Sequence, residues 1–219
     1  MKIVQISVAA LAFSILCREA DAGETPKAII ELFTSQGCSS CPPANEFVGE
    51  LADDPDKLVL SYGVTYWDFL GWEDTFADPK FTDRQRLYGE TLDMGYVYTP
   101  QIVLNGRHHN SRYTIGDIEK ARFTPTAINL DLSQKDGQLF LIGADDGALI
   151  VSFKPGWHSI DVKRGENHGR KLRVSNVVTD VQSAENGKTP ILVKQGLAYA
   201  ALVHDPDSNQ IIAASVLRP

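Results

Sequence analysis

At Thr124 the chain changes rhythm, and that change limits its folds more than any single motif does. From Lys27 to Phe123, strand-like and helix-like segments alternate. "KAIIELFT" (27–34) is a continuous β-branched run of the kind buried on both faces of a parallel sheet. "PPANEFVGELA" (42–52) reads as a helix, with prolines where amides lack an intrahelical partner. "KLVLSYGVTY" (57–66) is a second strand and "DPKFTDRQRLYGETLD" (78–93) a polar-faced helix. "PQIVLNG" (100–106) is a third strand with "RHHNSRY" (107–113) as hairpin partner, and "TIGDIEKARF" (114–123) closes the series as a helix. Such alternation predicts an α/β sheet. After Thr124 come seven or eight short runs, among them "ALIVSF", "WHSIDVK" and "AYAALVH", separated by turn signals such as KPG and ENHG. Strands without helices predict a β-sandwich or small barrel. The expected plan is an α/β domain over 23–124 followed by an all-β, sandwich-like domain over 125–219.

The residues before that plan read as an export leader. Lys2 precedes a mostly apolar stretch over 3–17, and "ADA" at 20–22 is a small-x-small cleavage site, so 1–22 is expected to be a signal peptide. The apolar stretch is shorter than a membrane span, and no span is expected once it is removed. Cleavage takes Cys17 away and leaves Cys38 and Cys41 as the only cysteines of a periplasmic or secreted chain. The formal charge of −7, with no basic run, argues against nucleic acid as a partner.

"FTSQGCSSCPPA" (33–44) places those two cysteines just beyond the first strand, before the first helix. In an α/β sheet, chemistry collects beyond the carboxyl ends of the strands. Cys38 is expected at or near the helix N-terminus, where free amides and the helix dipole favour a thiolate. Cys41, one turn in, is then the less exposed, resolving thiol. Two other readings stay open. A disulfide closing so short a loop would be a staple, though a weak one. A soft metal could use the thiolate pair with an imidazole, and His108 and His109 are the candidates. A Thr-Pro at 99–100, at the entrance of a strand, is where a cis-proline would sit.

Strand, CxxC, helix, strand, helix, then Thr-Pro before a hairpin and a last helix resembles the thioredoxin fold. More narrowly, "ELFTSQGCSSCPPA", "TYWDFLGWEDTF", "FTDRQRLYG", "VYTPQIVLNG" and "RGENHGRKLRVSNVV" resemble a family of exported bacterial thioredoxin-like proteins of unknown function. The resemblance implies that Thr99 and Pro100 form a cis-proline turn facing Cys38 and cradling a substrate strand. By the same likeness, Glu31, the polar residue in "AIIELF", is a candidate buried carboxylate of raised pKa that takes the resolving thiol's proton, although it falls one residue too far from the cysteines. Ser39 and Ser40 stand where ordinary thioredoxins have Gly-Pro, and Gly37 where they have Trp. The direction of electron flow is therefore open.

"YWDFLGWEDTFADP" (66–79) is inserted after the second strand, on the edge that carries the cysteines. Tyr66, Trp67 and Trp72 are candidate substrate contacts forming a lip over the thiols, or aromatic packing for a long loop. Asp68, Asp74 and Asp78 in that loop pair at no hydrolase spacing, and "KRGENHGRKLR" (163–173) reads as a hairpin turn with charged tips. The expectation is an envelope thiol–disulfide exchange protein acting on protein or small thiols, with no organic cofactor. A metal-delivery protein and a redox-inert interaction module are the alternatives.

Overall fold

The second strand of the α/β half has an apolar edge that cannot be left bare, and the way it is covered organises the whole molecule. The computed structural model describes residues 21–126, 128–144, 147–184 and 191–219. All but the last two residues of the expected leader lie outside them. The elements in order are β1 (Asp21–Ala22), β2 (Ala28–Thr34), α1 (Pro42–Leu51), β3 (Lys57–Gly63), α2 (Pro79–Thr91), β4 (Gln101–Leu104), β5 (His108–Asn110) and α3 (Ile115–Lys120). Six strands follow: β6 (Asp131–Lys135), β7 (Gln138–Ile142), β8 (Ala148–Asp161), β9 (Lys171–Ser183), β10 (Ala198–His204) and β11 (Ile211–Leu217). A short 3₁₀ turn at Asp68–Leu70 lies in the inserted loop.

Eight strands form one mixed sheet in the order β11-β10-β8-β9-β3-β2-β4-β5. In the α/β half, β2 runs parallel to β3 and antiparallel to β4, and β4 is antiparallel to β5. β9 then lies beside β3, parallel to it, with Ser61 opposite Val177. An exposed edge such as "LVLSY" is a template for aggregation, and β9 removes it. The change of rhythm at Thr124 is therefore real, but no structural boundary accompanies it. Four strands of the expected sandwich extend the first sheet instead of forming a separate fold.

The core crosses the same junction. One cluster joins Ile29, Phe33, Leu60, Tyr62, Phe81 and Tyr88 of the first half to Val151, Phe153, Val178, Ala200 and Leu202 of the second. On the opposite face, Ala28, Ile30 and Leu32 of β2 pack against Ala44, Val48 and Leu51 of α1. A second sheet of three strands, β1-β6-β7, lies over the β10–β11 end, where Leu132 and Leu139 meet Tyr199, Ala201 and Ala213. β10 thus buries alternate residues in two different cores, which explains its unbroken apolar sequence.

The KPG signal at 154–156 does not end a strand. β8 runs through it with an irregularity between Lys154 and Trp157, and Gly156 takes φ 78° while its amide donates to Asn176 Oδ1 (2.9 Å). A bulge of this kind bends a strand without breaking it. The β8–β9 hairpin consequently reaches far enough to touch α1, where Trp157 lies against Gly49 and Arg173 pairs with Glu46.

Candidate functional site

Cys38 and Cys41 form a disulfide in the turn between β2 and α1, and each is 0 % exposed. Ser35, Gln36 and Gly37 lead into that turn, with the Cys38 amide donating to Ser35 O and the Cys41 amide to Cys38 O. Cys41, not Cys38, is the N-cap of α1. The helix starts with Pro42 and Pro43, which have no N–H, and the amides of Ala44 and Asn45 both donate to Cys41 O. The first turn therefore offers no free amide to a thiolate. The expected combination of an exposed Cys38 and amide donors at the helix start is corrected on both points.

Two loops hold the cysteine turn. The inserted loop does so through Trp72, whose Nε1 donates to Gln36 Oε1 (2.9 Å), and Asp74, whose carboxylate accepts the Gln36 amide (2.7 Å). Burial pushes the Asp74 carboxyl up to about 6, against the lowering effect of the Gln36 and Phe76 amides that it accepts. Trp67 of the same loop touches Gly37, where a Cβ would come within 3.0 Å of the Trp67 Cβ. Its Nε1 donates to Thr99 Oγ1 (2.8 Å), so it bridges the cysteine turn to the Thr99–Pro100 turn, whose peptide bond is cis. Tyr66 is half-buried, and burial raises its phenol.

The second loop comes from the β half. Asn167, fully buried, donates from Nδ2 to Gln36 O (3.0 Å) and to Cys38 O (2.9 Å), and the Ser39 amide donates to Glu166 Oε2 (3.1 Å). Hydrogen bonds from Ser39 hold the Glu166 carboxyl below its usual range. Arg170 Nη1 donates to Asn167 Oδ1 (2.8 Å). "KRGENHGRKLR" is the expected hairpin turn with exposed charged residues, but Asn167 at its centre is buried against the disulfide loop. Glu166 and Asn167 went unnoticed in the sequence, where a polar tip between two strands looks like any other hairpin end. Gln85 was missed too, and it supports the proline turn by donating from Nε2 to Tyr98 O (2.8 Å) and Gln101 Oε1 (2.7 Å).

Beside the disulfide is a cavity of about 520 Å³, with Ser40, Pro43, Ala44 and Phe47 on one wall and Thr99, Pro100, Ser111, Arg112 and Tyr113 on the other. It brings the residue between the cysteines and the Thr99–Pro100 turn to one space. Its walls are mostly apolar, with the exposed Arg112 among the lining residues, a composition common in ligand-binding clefts.

Glu31 lies elsewhere. It is on the face of β2 that carries Ile29 and Phe33, whereas α1 packs on the face of Ile30 and Leu32. One residue of offset reverses the face in a strand, so the position that looked slightly too far is on the wrong side of the sheet. There its carboxylate accepts Arg84 Nε (2.7 Å) and the Tyr88 hydroxyl. Burial would raise it, but the charge and hydrogen bonds of Arg84 prevail and hold it below its usual value. Glu31 is a buried ion-pair residue, not a proton shuttle of raised pKa. His204, beside Arg84 (3.3 Å), is lowered to about 3 by burial and by that guanidinium.

The histidines of the metal alternative lie on β5. His109 Nδ1 is 2.9 Å from the Tyr98 hydroxyl, and His108 is exposed. Among the described residues, no three His, Cys, Asp or Glu side chains come together to hold a metal ion, so neither histidine completes a set with the cysteines. Asp68 accepts the Asp74 amide, and Asp78 caps α2 by accepting the Lys80 amide. Among the described residues no helix is long and apolar enough to cross a membrane.

A family model described as "Protein of unknown function (DUF1223)" matches residues 29–212. The crystal structure of a structural-genomics target from Agrobacterium tumefaciens is 29% identical, with a TM-score of 0.67 over 89% of this chain and 95% of that one. HBP35 of Porphyromonas gingivalis is 14% identical, with a TM-score of 0.55 over 88% of this chain and 75% of that one, a likeness of fold alone. The search of curated proteins finds no match.

Proposed function

The chain belongs to the DUF1223 family, which has no assigned chemistry, and from its own site we propose that it is a thiol–disulfide exchange protein of the bacterial envelope. The observation that carries this reading is the position of the Cys38–Cys41 disulfide, beyond the carboxyl end of β2 and beside a cavity shared by Ser40, Thr99 and Pro100. The strand order β3-β2-β4-β5, with α1 and α3 on one face and α2 on the other, supports a thioredoxin-like organisation of this half. The leader-like sequence over 1–22, and a vicinal cysteine pair left alone once it is cleaved, support an exported location.

In the reducing direction, the Cys38 thiolate attacks one sulfur of a substrate disulfide. That bond breaks, one substrate sulfur leaves as a thiolate, and the other is joined to Cys38. The Cys41 thiolate then attacks Cys38 Sγ, expels the second substrate sulfur and closes the Cys38–Cys41 bond. Two electrons pass to the substrate, and the reverse sequence oxidises a dithiol. Cys38 takes the attacking role because it lies in a turn, while Cys41 is fixed as the cap of α1. An extended segment of a protein partner would lie in the cavity between Phe47 and Pro100, within reach of Arg112.

Cys41→Ser removes the resolving thiol, so mixed disulfides should accumulate on Cys38 in envelope extracts and disappear in the Cys38→Ser, Cys41→Ser double variant. Non-reducing electrophoresis with mass spectrometry reads this, and an empty trap would reject the exchange reading.

A further inference from the structure

Both sulfurs are sealed from solvent in the disulfide form, yet exchange requires a thiolate to approach one of them along the S–S axis. The two loops that hold the cysteine turn differ in kind. The inserted loop is tied on both sides, to the cysteine turn by Gln36 and to the β8–β9 hairpin by Trp72 and Phe76, which pack on Ile160, Val162, Leu172 and Val174. Residues 164–170, in contrast, are the tip of a long hairpin. Their bonds to the cysteine turn come from two side chains, Glu166 to the Ser39 amide and Asn167 to the carbonyls of Gln36 and Cys38. The tip's own turn is closed by Gly169 N to Val162 O (2.9 Å) and Arg170 N to Asn167 O (3.0 Å), bonds that need no partner in the α/β half.

We infer that residues 164–170 are a strap over the disulfide and that Asn167 is the positioning residue which keeps the cysteine turn closed, so that the reach of a partner to Cys38 is set from the β half. This rests on the exchange reading. Asn167 is suited to the task because a single amide group can donate to two carbonyls while its oxygen accepts Arg170. When the strap lifts, those two carbonyls are left for water or for the amides of an incoming strand. A protein partner that supplies backbone amides at Gln36 and Cys38 replaces what Asn167 gave, and a small thiol does not. The strap therefore favours protein partners over small thiols.

The test follows reduction of the disulfide in the intact protein by dithiothreitol. One dithiothreitol thiolate attacks a protein sulfur, the second displaces it, and the reagent leaves as its cyclic disulfide with Cys38 and Cys41 as thiols. Asn167→Asp keeps the shape and the Arg170 contact but turns a carboxylate oxygen toward the two carbonyls. It should be reduced about tenfold faster than the native protein, the effect of losing one or two hydrogen bonds of ordinary net strength. Glu166→Ala, at an exposed position that tolerates truncation, should be roughly two- to fivefold faster. The gain should be larger with dithiothreitol than with a reduced CxxC protein as electron donor, a contrast that general loosening of the fold would not produce. Native-like rates in both variants, or an equal gain with both reductants, overturn the strap. If Asn167→Asp fails to fold, Glu166→Ala decides by the same two comparisons. Faster reduction with an empty Cys41→Ser trap would keep the strap and reject the exchange function, and a loaded trap with unchanged rates would do the reverse.

Discussion

Asp74 shows how one side chain can make the stability of the disulfide turn depend on pH. It is buried in the inserted loop and accepts the Gln36 amide two residues before Cys38. Its carboxyl is raised to about 6 from an ordinary 3.8. Between those values the folded chain binds a proton that the unfolded chain has lost, so this group's contribution is complete below about pH 4 and is lost as pH rises through 6. Relative to Asp74→Asn, the native protein should lose on the order of 3 kcal/mol between pH 4 and pH 7. Denaturant unfolding across that range checks it, and a constant difference would contradict it. At this scale the sequence was readable where chemistry is local. CxxC, the Thr99–Pro100 turn and the tryptophans of the inserted loop announce themselves within a dozen residues. Glu31 was legible as well, since its parity with Ile29 and Phe33 already places it away from α1, and Pro42–Pro43 already say that the first amides of that helix are missing. Asn167 was not legible, because its two acceptors are 129 and 131 positions away and nothing around it marks it as more than a turn residue.

Among elements, the contact of α1 with the β8–β9 hairpin determines where the strap can sit. Gly49 lies in the interior of α1, where alanine is ordinarily better by about 1 kcal/mol. A Cβ there would meet Trp157 ring carbons at 2.0 to 2.6 Å, and that ring cannot easily swing away because the Arg173 guanidinium stacks on it at 4.3 Å. Overpacking costs about 1–3 kcal/mol, so Gly49→Ala should destabilise the protein by up to about 2 kcal/mol despite the gain in helix propensity. Chemical denaturation measures this, and a stabilised variant would show that the hairpin does not press on the helix. The helices and the first strands were readable because their periodicity is internal. The bent, continuous β8 was not, since a KPG stretch signals a turn just as well as it marks a bulge, and only pairing with β9 distinguishes the two.

For the molecule as a whole, β3 and β9 unite two halves that the sequence presents as separate. Residues 23–124 alone would expose the apolar edge of β3 and lose Val151, Phe153, Val178, Ala200 and Leu202 from the core. That fragment should fail to unfold cooperatively and should be cut rapidly by protease, while the intact chain unfolds in a single transition. Circular dichroism and limited proteolysis check both, and a fragment with its own sharp transition would restore the two-domain plan. Strand pairing between distant segments leaves no periodic trace, and for that reason the junction was hidden while the strands themselves were visible. The chain has three tryptophans, and two of them touch the turn that contains the disulfide, Trp67 at Gly37 and Trp72 at Gln36, while Trp157 lies against Gly49 on the helix that follows. The protein therefore carries its own optical reporter, and its ultraviolet emission should follow the breaking of the Cys38–Cys41 bond in real time without any label.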